Sequence, residues 1–287
     1  MNRSARVRRA RRAEAIMKAI TGASLLGVLG LTVLILAAIA WRGLPAMSAE
    51  FIFALPRSNM TEGGIWPAIV GTFWLTVGTG VFAVPIGVAA GVYLAEYAKR
   101  GIGTRLIRLS IANMAGVPSI VYGLFGLSVF VMVLKFNQSL LAGSLTLACL
   151  TLPVIITATE ESMRQVPGDL RHASLALGAT RLRTILRVVL PAAGPGIVTG
   201  SVLGLSRAAG ETAPILVTAA AFSAPLPKTP FDRVMALPYH LYIMATQAVK
   251  PAPLVVWGTA LVLVAGVTFM GVLAATWRSR QRRKIRW

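Results

Sequence analysis

The chain has 287 residues, 56% of them hydrophobic and only 13% charged, yet its formal charge is +20. With a mean hydropathy of +0.72, its apolar runs exceed what one soluble core could bury, which excludes a soluble domain and indicates an integral membrane protein. The positive excess flanks the apolar runs, as orientation signals do, and so argues against nucleic-acid binding.

Residues 1–17 hold Arg3, Arg6, Arg8, Arg9, Arg11 and Arg12 against the single acid Glu14, a tail expected to be disordered and to stay in the cytoplasm. The apolar run 19–41 is longer than a secretory h-region and suits a spanning helix. The alternative is a cleaved signal using the small residues Ala38, Ile39 and Ala40. Residues 18–66 therefore form one unit, a first span followed by an external loop from Arg42 to Trp66. A five-span core is expected over 67–277 and a second basic tail over 278–287.

The second span, 67–95, carries Pro85 and the pair Gly87 and Gly91 one turn apart, which lets another helix approach closely. Lys99, Arg100, Arg105 and Arg108 follow on the cytoplasmic side. The third span, 109–134, contains the stretch NMAGVPSIVYGLFGL, where Asn113, Gly116, Pro118, Ser119, Tyr122, Gly123 and Gly126 open the backbone. It reads as a kinked helix facing protein or a cavity, or as a glycine-rich packing face. The fourth span, 139–159, contains the lone Cys149, which excludes a disulfide framework. Glu160, Glu161 and Arg164 return the chain to the cytoplasm.

The coupling loop, 164–190, includes LRHASLALGATRLRTILRVVLP from Leu170 to Pro191. It reads as a helix, a bend at Gly178, and a second amphipathic helix in which Leu182, Ile185, Leu186 and Val189 share an apolar face, ending at the proline. The spacing from Ala173 to Gly178 and on to Val189, Leu190 and Pro191 resembles the cytoplasmic loop of importer-type ABC permeases: E-A-A, three residues, G, nine residues, I-x-L-P. The resemblance implies an all-α fold of the type I importer class and a coupling helix formed by Arg171, His172, Ala173, Ser174, Leu175 and Gly178, seated on an ATPase. His172 replaces the usual glutamate and Ser174 the second alanine, which leaves open the charge contact of that glutamate. The alternative is a basic helix lying on the membrane surface.

The fifth span, 192–219, repeats Gly196, Gly200 and Gly204, and Arg207 and Glu211 continue the stripe. An ionisable residue inside a span points to a substrate path; the alternative is mutual neutralisation at i,i+4. Glu211 is the only acid deep in these expected spans. Phe222 to Lys250, with Asp232 beside Arg233, reads as an external loop with a short helix, and 254–277 as the sixth span. The basic C-terminus, Arg278, Arg280, Arg282, Arg283, Lys284 and Arg286, places both termini inside.

The sequence holds no phosphate loop, and His172 and His240 lie far apart without partners at zinc spacing, so the chain is expected to be a transport subunit rather than an enzyme. GVPSIVYGLFG at Gly116–Gly126 together with RAAGETAP at Arg207–Pro214 resembles the phosphate-import permeases, in the PstA-type branch. The resemblance implies a bacterial inner-membrane complex with the companion permease PstC, two copies of the ATPase PstB holding ATP and magnesium, and the periplasmic phosphate-binding protein PstS. Arg207 and Glu211 would then line the substrate path, with Gly116, Pro118, Ser119, Gly196, Gly200 and Gly204 serving packing or gating. The alternatives are a permease for sulfate or molybdate, an ion-coupled secondary transporter, and a non-transporting scaffold.

Overall fold

Apolar stretches of this length become helices because a bilayer leaves backbone polar groups no partner outside their own segment. The computed structural model describes residues 3–57, 60–99, 101–247 and 252–284, with the backbone alone at 3–10, 12 and 281–284. Arg100, Lys250 and Arg286 lie outside the described residues. Within them, five helices are long and apolar enough to cross a membrane, and a sixth crossing comes from a bent pair.

Helix α1 (Arg3–Gly43) includes the basic tail, which was expected to be disordered. Its alanine- and arginine-rich sequence favours helix, and extending an existing span needs no new nucleus. Ala38 to Ala40 lie inside this helix. Its outer end docks on α12 (Pro253–Lys284), where the Arg42 guanidinium sits 4.9 Å from the Trp257 ring centre. The loop that follows folds into α2 (Ala49–Phe53) and a small hairpin, β1 (Pro56–Arg57) with β2 (Glu62–Gly63). Phe51, Met60 and Ile65 bury against Met235, Leu237 and Met244.

Helix α6 (Leu140–Arg164) is the centre of the bundle and the most buried span. Two glycine-lined helices press on it. On α3 (Trp66–Val92, continued by a π-turn at Tyr93–Tyr97), a methyl added at Gly87 or Gly91 would overlap Ile155 or Thr159. On α9 (Leu190–Gly210), additions at Gly196, Gly200 and Gly204 would overlap Ser162, Ala158 and Thr151. Close backbone approach thus brings three helices together.

Three expected boundaries are corrected. The third span does not begin at Leu109: α4 (Ile102–Ala115) and α5 (Ser119–Gly126, extended by a π-segment at Leu127–Val133) meet at 100°. Pro118 disfavours a helical Val117, so the chain turns sharply between Ala115 and Ser119 and this crossing is a bent pair whose first helix begins at Ile102. Nor does the loop helix end at Pro191. A short α8 (Arg181–Thr184) and a π-turn (Ile185–Val189) run straight into α9 as one helix of 30 residues. The widened turn takes up the clash between the Pro191 ring and the Arg187 carbonyl.

The same helix stops at Gly210 rather than continuing to Ala219. Continuation would drive the Pro214 ring into the Gly210 carbonyl. Glu211 is instead extended (φ −74°, ψ 132°), and a separate α10 (Ala213–Thr218) follows. Beyond it the chain folds back on the bundle. Leu140 and Leu141 donate to the carbonyls of Asp232 and Pro230 at 2.8 Å, and Val234, Met235 and Ala236 are buried before α11 (Leu237–Thr246). About a third of the described part of this expected surface loop, from Val234 to Met244, is therefore core.

Candidate coupling and translocation sites

Arg207 and Glu211 come together at the broken end of α9. Arg207 Nε donates to Glu211 Oε1 at 3.4 Å, with the guanidinium side chain 51% exposed and the carboxylate side chain 16% exposed. The sequence stripe divides here: its three glycines are pressed against α6, whereas Arg207 stays half in the open. One long, single contact leaves four N–H groups of the guanidinium without a protein partner among the described residues. Such a group can bind an oxyanion with two parallel hydrogen bonds.

Further in along α9, a cavity of about 310 Å³ opens between α6, α9 and Arg278 of α12. Glu161, Ser162, Gln165 and Thr199 give it polar walls, and Leu203, one turn before Arg207, closes its end. The expected path residue thus sits one helical turn beyond a polar cavity on the cytoplasmic half of the bundle.

The loop forms a second site. Helix α7 (Gly168–Ala176) is followed by Gly178 at φ +82°, a left-handed turn in which glycine is required for its conformation, since nothing approaches its Cα hydrogens. His172, Ala173, Leu175 and Ala176 are exposed, and Leu177 is 89% exposed. Arg171 and Ser174 face inward. Arg171 donates to Glu96 Oε1 from Nε at 3.2 Å and from Nη2 at 2.8 Å, and also to the carbonyls of Val166 at 2.6 Å and Met163 at 2.8 Å. The Ser174 and Thr184 hydroxyls lie 2.9 Å apart. The exposed face of this segment is therefore His172, Ala173, Leu175 and the turn, not the arginine.

The carboxylates that organise this end lay outside the expected site. Glu160 was expected to return the chain to the cytoplasm just after a span and Glu96 was not singled out; the helices in fact run through both. Their side chains are 10% and 12% exposed. Glu160 Oε1 accepts from Arg108 at 2.8 Å and lies 2.7 Å from Arg164, tying α4 to α6. The signal available in the sequence was an acid directly at a span boundary with arginines in the neighbouring loops. Gly116, Pro118 and Ser119 fall at the break between α4 and α5. No cluster of three metal-ligating side chains occurs among the described residues.

A family model described as the binding-protein-dependent transport system inner membrane component matches residues 83–286. The chain belongs to this family. Such a permease is an inner-membrane protein that crosses the bilayer several times. The permease is 41% identical to the phosphate transport system permease protein PstA 1 of Mycobacterium tuberculosis, over 77% of this chain and 72% of that one. It is 35% identical to the probable ABC transporter permease protein YqgI of Bacillus subtilis, over 88% and 92%, respectively. A probable phosphate transport system permease protein PstA of Methanocaldococcus jannaschii is 34% identical over 80% and 81%. In fold, the permease is similar to a solved, inward-facing structure of the MetNI methionine ABC transporter, with a TM-score of 0.60 at 19% identity, covering 75% of this chain and 96% of that one. The fold is thus that of a type I ABC importer permease.

Proposed function

We propose that this chain is the PstA-type permease subunit of an ATP-driven phosphate importer, and that Arg207 with Glu211 lies on the phosphate path. The names of its relatives support the substrate. The observation that carries the path is the half-exposed Arg207 guanidinium, held by one carboxylate contact at the point where α9 opens.

Phosphate is small, anionic and strongly hydrated, so a path must replace part of its hydration without holding it tightly. Arg207 offers the charge-assisted contacts, and Glu211 limits the attraction and fixes the orientation of the guanidinium. The polar cavity further in gives the released anion a hydrated route. High-affinity selection then belongs to a periplasmic binding protein of the PstS type, docking on the outer loops. There Phe53, Leu55 and Phe231 are exposed, while the amides of Thr229 and Lys228 and the Thr229 hydroxyl hold the Asp232 carboxyl below its usual range and keep the loop folded.

On the cytoplasmic side, the exposed face of α7 docks on one of two PstB-type ATPases, which supply ATP and magnesium, while a PstC-type companion completes the path. ATP binding closes the ATPases and displaces α7, and the spans reorient so that the cavity changes sides. The test is ATP-dependent phosphate uptake into proteoliposomes holding the four-component complex. Arg207→Gln is expected to lower uptake by about a hundredfold, in the range seen when a charge-bearing contact is removed from a functional site, while the complex assembles and hydrolyses ATP. Undiminished uptake reduces the pair to a structural bridge, and transport of a different oxyanion removes the phosphate assignment.

A further inference from the structure

The inner end of α3 is gripped from both sides of the Gly178 turn. From α7, Arg171 reaches Glu96 Oε1 with two N–H groups while its others bind the carbonyls of Val166 and Met163 at the end of α6. From α8, Arg181 Nη2 donates to the Glu96 backbone carbonyl, and its guanidinium lies 4.9 Å from the Tyr97 ring centre. Both grips close on Glu96 and its neighbour, at the π-turn where α3 ends. Single π-turns within helices occur frequently at functional sites.

The remaining attachments of α7 to the bundle are fewer and weaker. Leu170 packs against the cluster of Met163, Val166, Ile185 and Val189, and Ser174 meets Thr184. Gly178 joins α7 to α8 through a left-handed turn with no neighbours at its Cα, which fixes direction but adds no side-chain contact. The charged contact is the stiff one: it is largely shielded, directional and shared by two N–H groups.

We propose that Glu96 is a positioning residue for energy coupling, the point through which displacement of α7 is passed to α3. This rests on the reading of α7 as the ATPase-docking helix. Arg171 then acts as a tie between the docking helix and two spans, and its inward orientation leaves the docking surface to His172, Ala173, Leu175 and Leu177. A passive bridge would only hold the fold together. A coupling residue also sets how much transport each hydrolysed ATP produces.

The experiment uses the reconstituted four-component complex with the unmodified chain, Glu96→Gln and Glu96→Asp. Phosphate taken up per ATP hydrolysed is measured, together with the amount of assembled complex. A Cys149→Ser background carrying spin labels at Asp169→Cys, exposed in the first turn of α7 and outside the docking surface, and at Tyr93→Cys reports the distance from α7 to the inner end of α3 by electron–electron resonance, with and without trapped ATP. In the unmodified complex the distance is the same in both states, because the two segments move together. Glu96→Gln is expected to assemble and hydrolyse ATP, to lower uptake per ATP at least about tenfold, and to give a changed distance in the ATP state. Glu96→Asp keeps the carboxylate and most of the coupling. If Glu96→Gln lowers uptake and hydrolysis together, in step with assembly, and leaves the distance unchanged, the residue is a structural bridge and the proposal fails. If the unmodified complex moves no phosphate, the substrate reading falls, and the distance measurement still decides the role of Glu96.

Discussion

The two ends of this bundle are held by different physics. At the cytoplasmic end, Glu96 and Glu160 each gather two arginines, so helices α3, α4, α6, α7 and α8 are joined through charged groups. At the outer end the chain folds back through backbone hydrogen bonds from Leu140 and Leu141 and from Leu237 to the Thr72 hydroxyl at 2.8 Å, and through apolar burial. Charged ties are long-reaching and directional, and they can transmit a pull. The backbone-bonded end has no such reach and acts as a fixed frame. Arg207 and Glu211 lie between the two, charged but barely tied.

The sharpest way to break this contrast is to remove an arginine from each kind of pair. Arg171→Gln leaves Glu96 buried without its cation and strips the carbonyls of Val166 and Met163 of a donor. A loss of about 3 kcal/mol is expected, from the cost of an uncompensated buried charge. Arg207→Gln, in a pair whose guanidinium is half exposed and makes one long contact, should cost less than about 1 kcal/mol. Thermal unfolding of the purified complex in detergent reads both. Equal shifts would mean that exposure does not separate the two pairs and would remove the basis for giving them different tasks.

The residues explain why some of this was legible in the sequence. Hydropathy located the cores of α1, α3, α6 and α12, because spans that cross lipid must be apolar over about twenty residues. The bend at Gly178 and the close-packing glycines Gly87, Gly91, Gly196, Gly200 and Gly204 were also readable, since glycine at such spacing has few other uses. Hidden were features that depend on a partner element. Pro191 looks like a helix end until the π-turn before it absorbs its ring. Pro118 reads as a kink, and the structure bends there, but the size of the bend, 100°, and the unburied α4 before it were not readable. Glu96 and Glu160 look like loop acids because their arginines are far away in sequence, at Arg171 and Arg108. The burial of Val234 to Ala236 could not be read from composition, because that segment pairs with Ala219 to Ala221 and packs on α3 at Gly71 through tertiary contacts.

A pH scan tests the outer end. His240 of α11 is 2% exposed and faces the Thr259 hydroxyl at 3.2 Å, and burial pushes its pKa down from 6.5 to about 4. The folded state therefore takes up its proton less readily than the unfolded chain. Stability from this group is complete above about pH 6.5 and is lost as pH falls toward 4, by on the order of 3 kcal/mol in all. Unfolding temperature should drop across that window, and His240→Gln should flatten the fall. An unchanged slope in the variant would show that protonation elsewhere governs the acid loss.

The smallest expected effect lies in the turn between the two grips on α3. Gly178 adopts φ +82° with open space where a side chain would sit, so alanine meets no neighbour there and pays only for its own backbone conformation. That cost is about 1 kcal/mol, and less for asparagine, which enters the left-handed region more readily. Gly178→Asn should therefore unfold closer to the unmodified chain than Gly178→Ala does. Because the Arg171 and Arg181 contacts to Glu96 lie on opposite sides of this turn, a cost confined to the backbone leaves both grips in place, and in variants shown to bind the ATPase as the unmodified chain does, uptake per ATP is unchanged. A large loss of uptake per ATP from Gly178→Ala, with the complex intact, would move the mechanical role from the buried carboxylate to the turn itself.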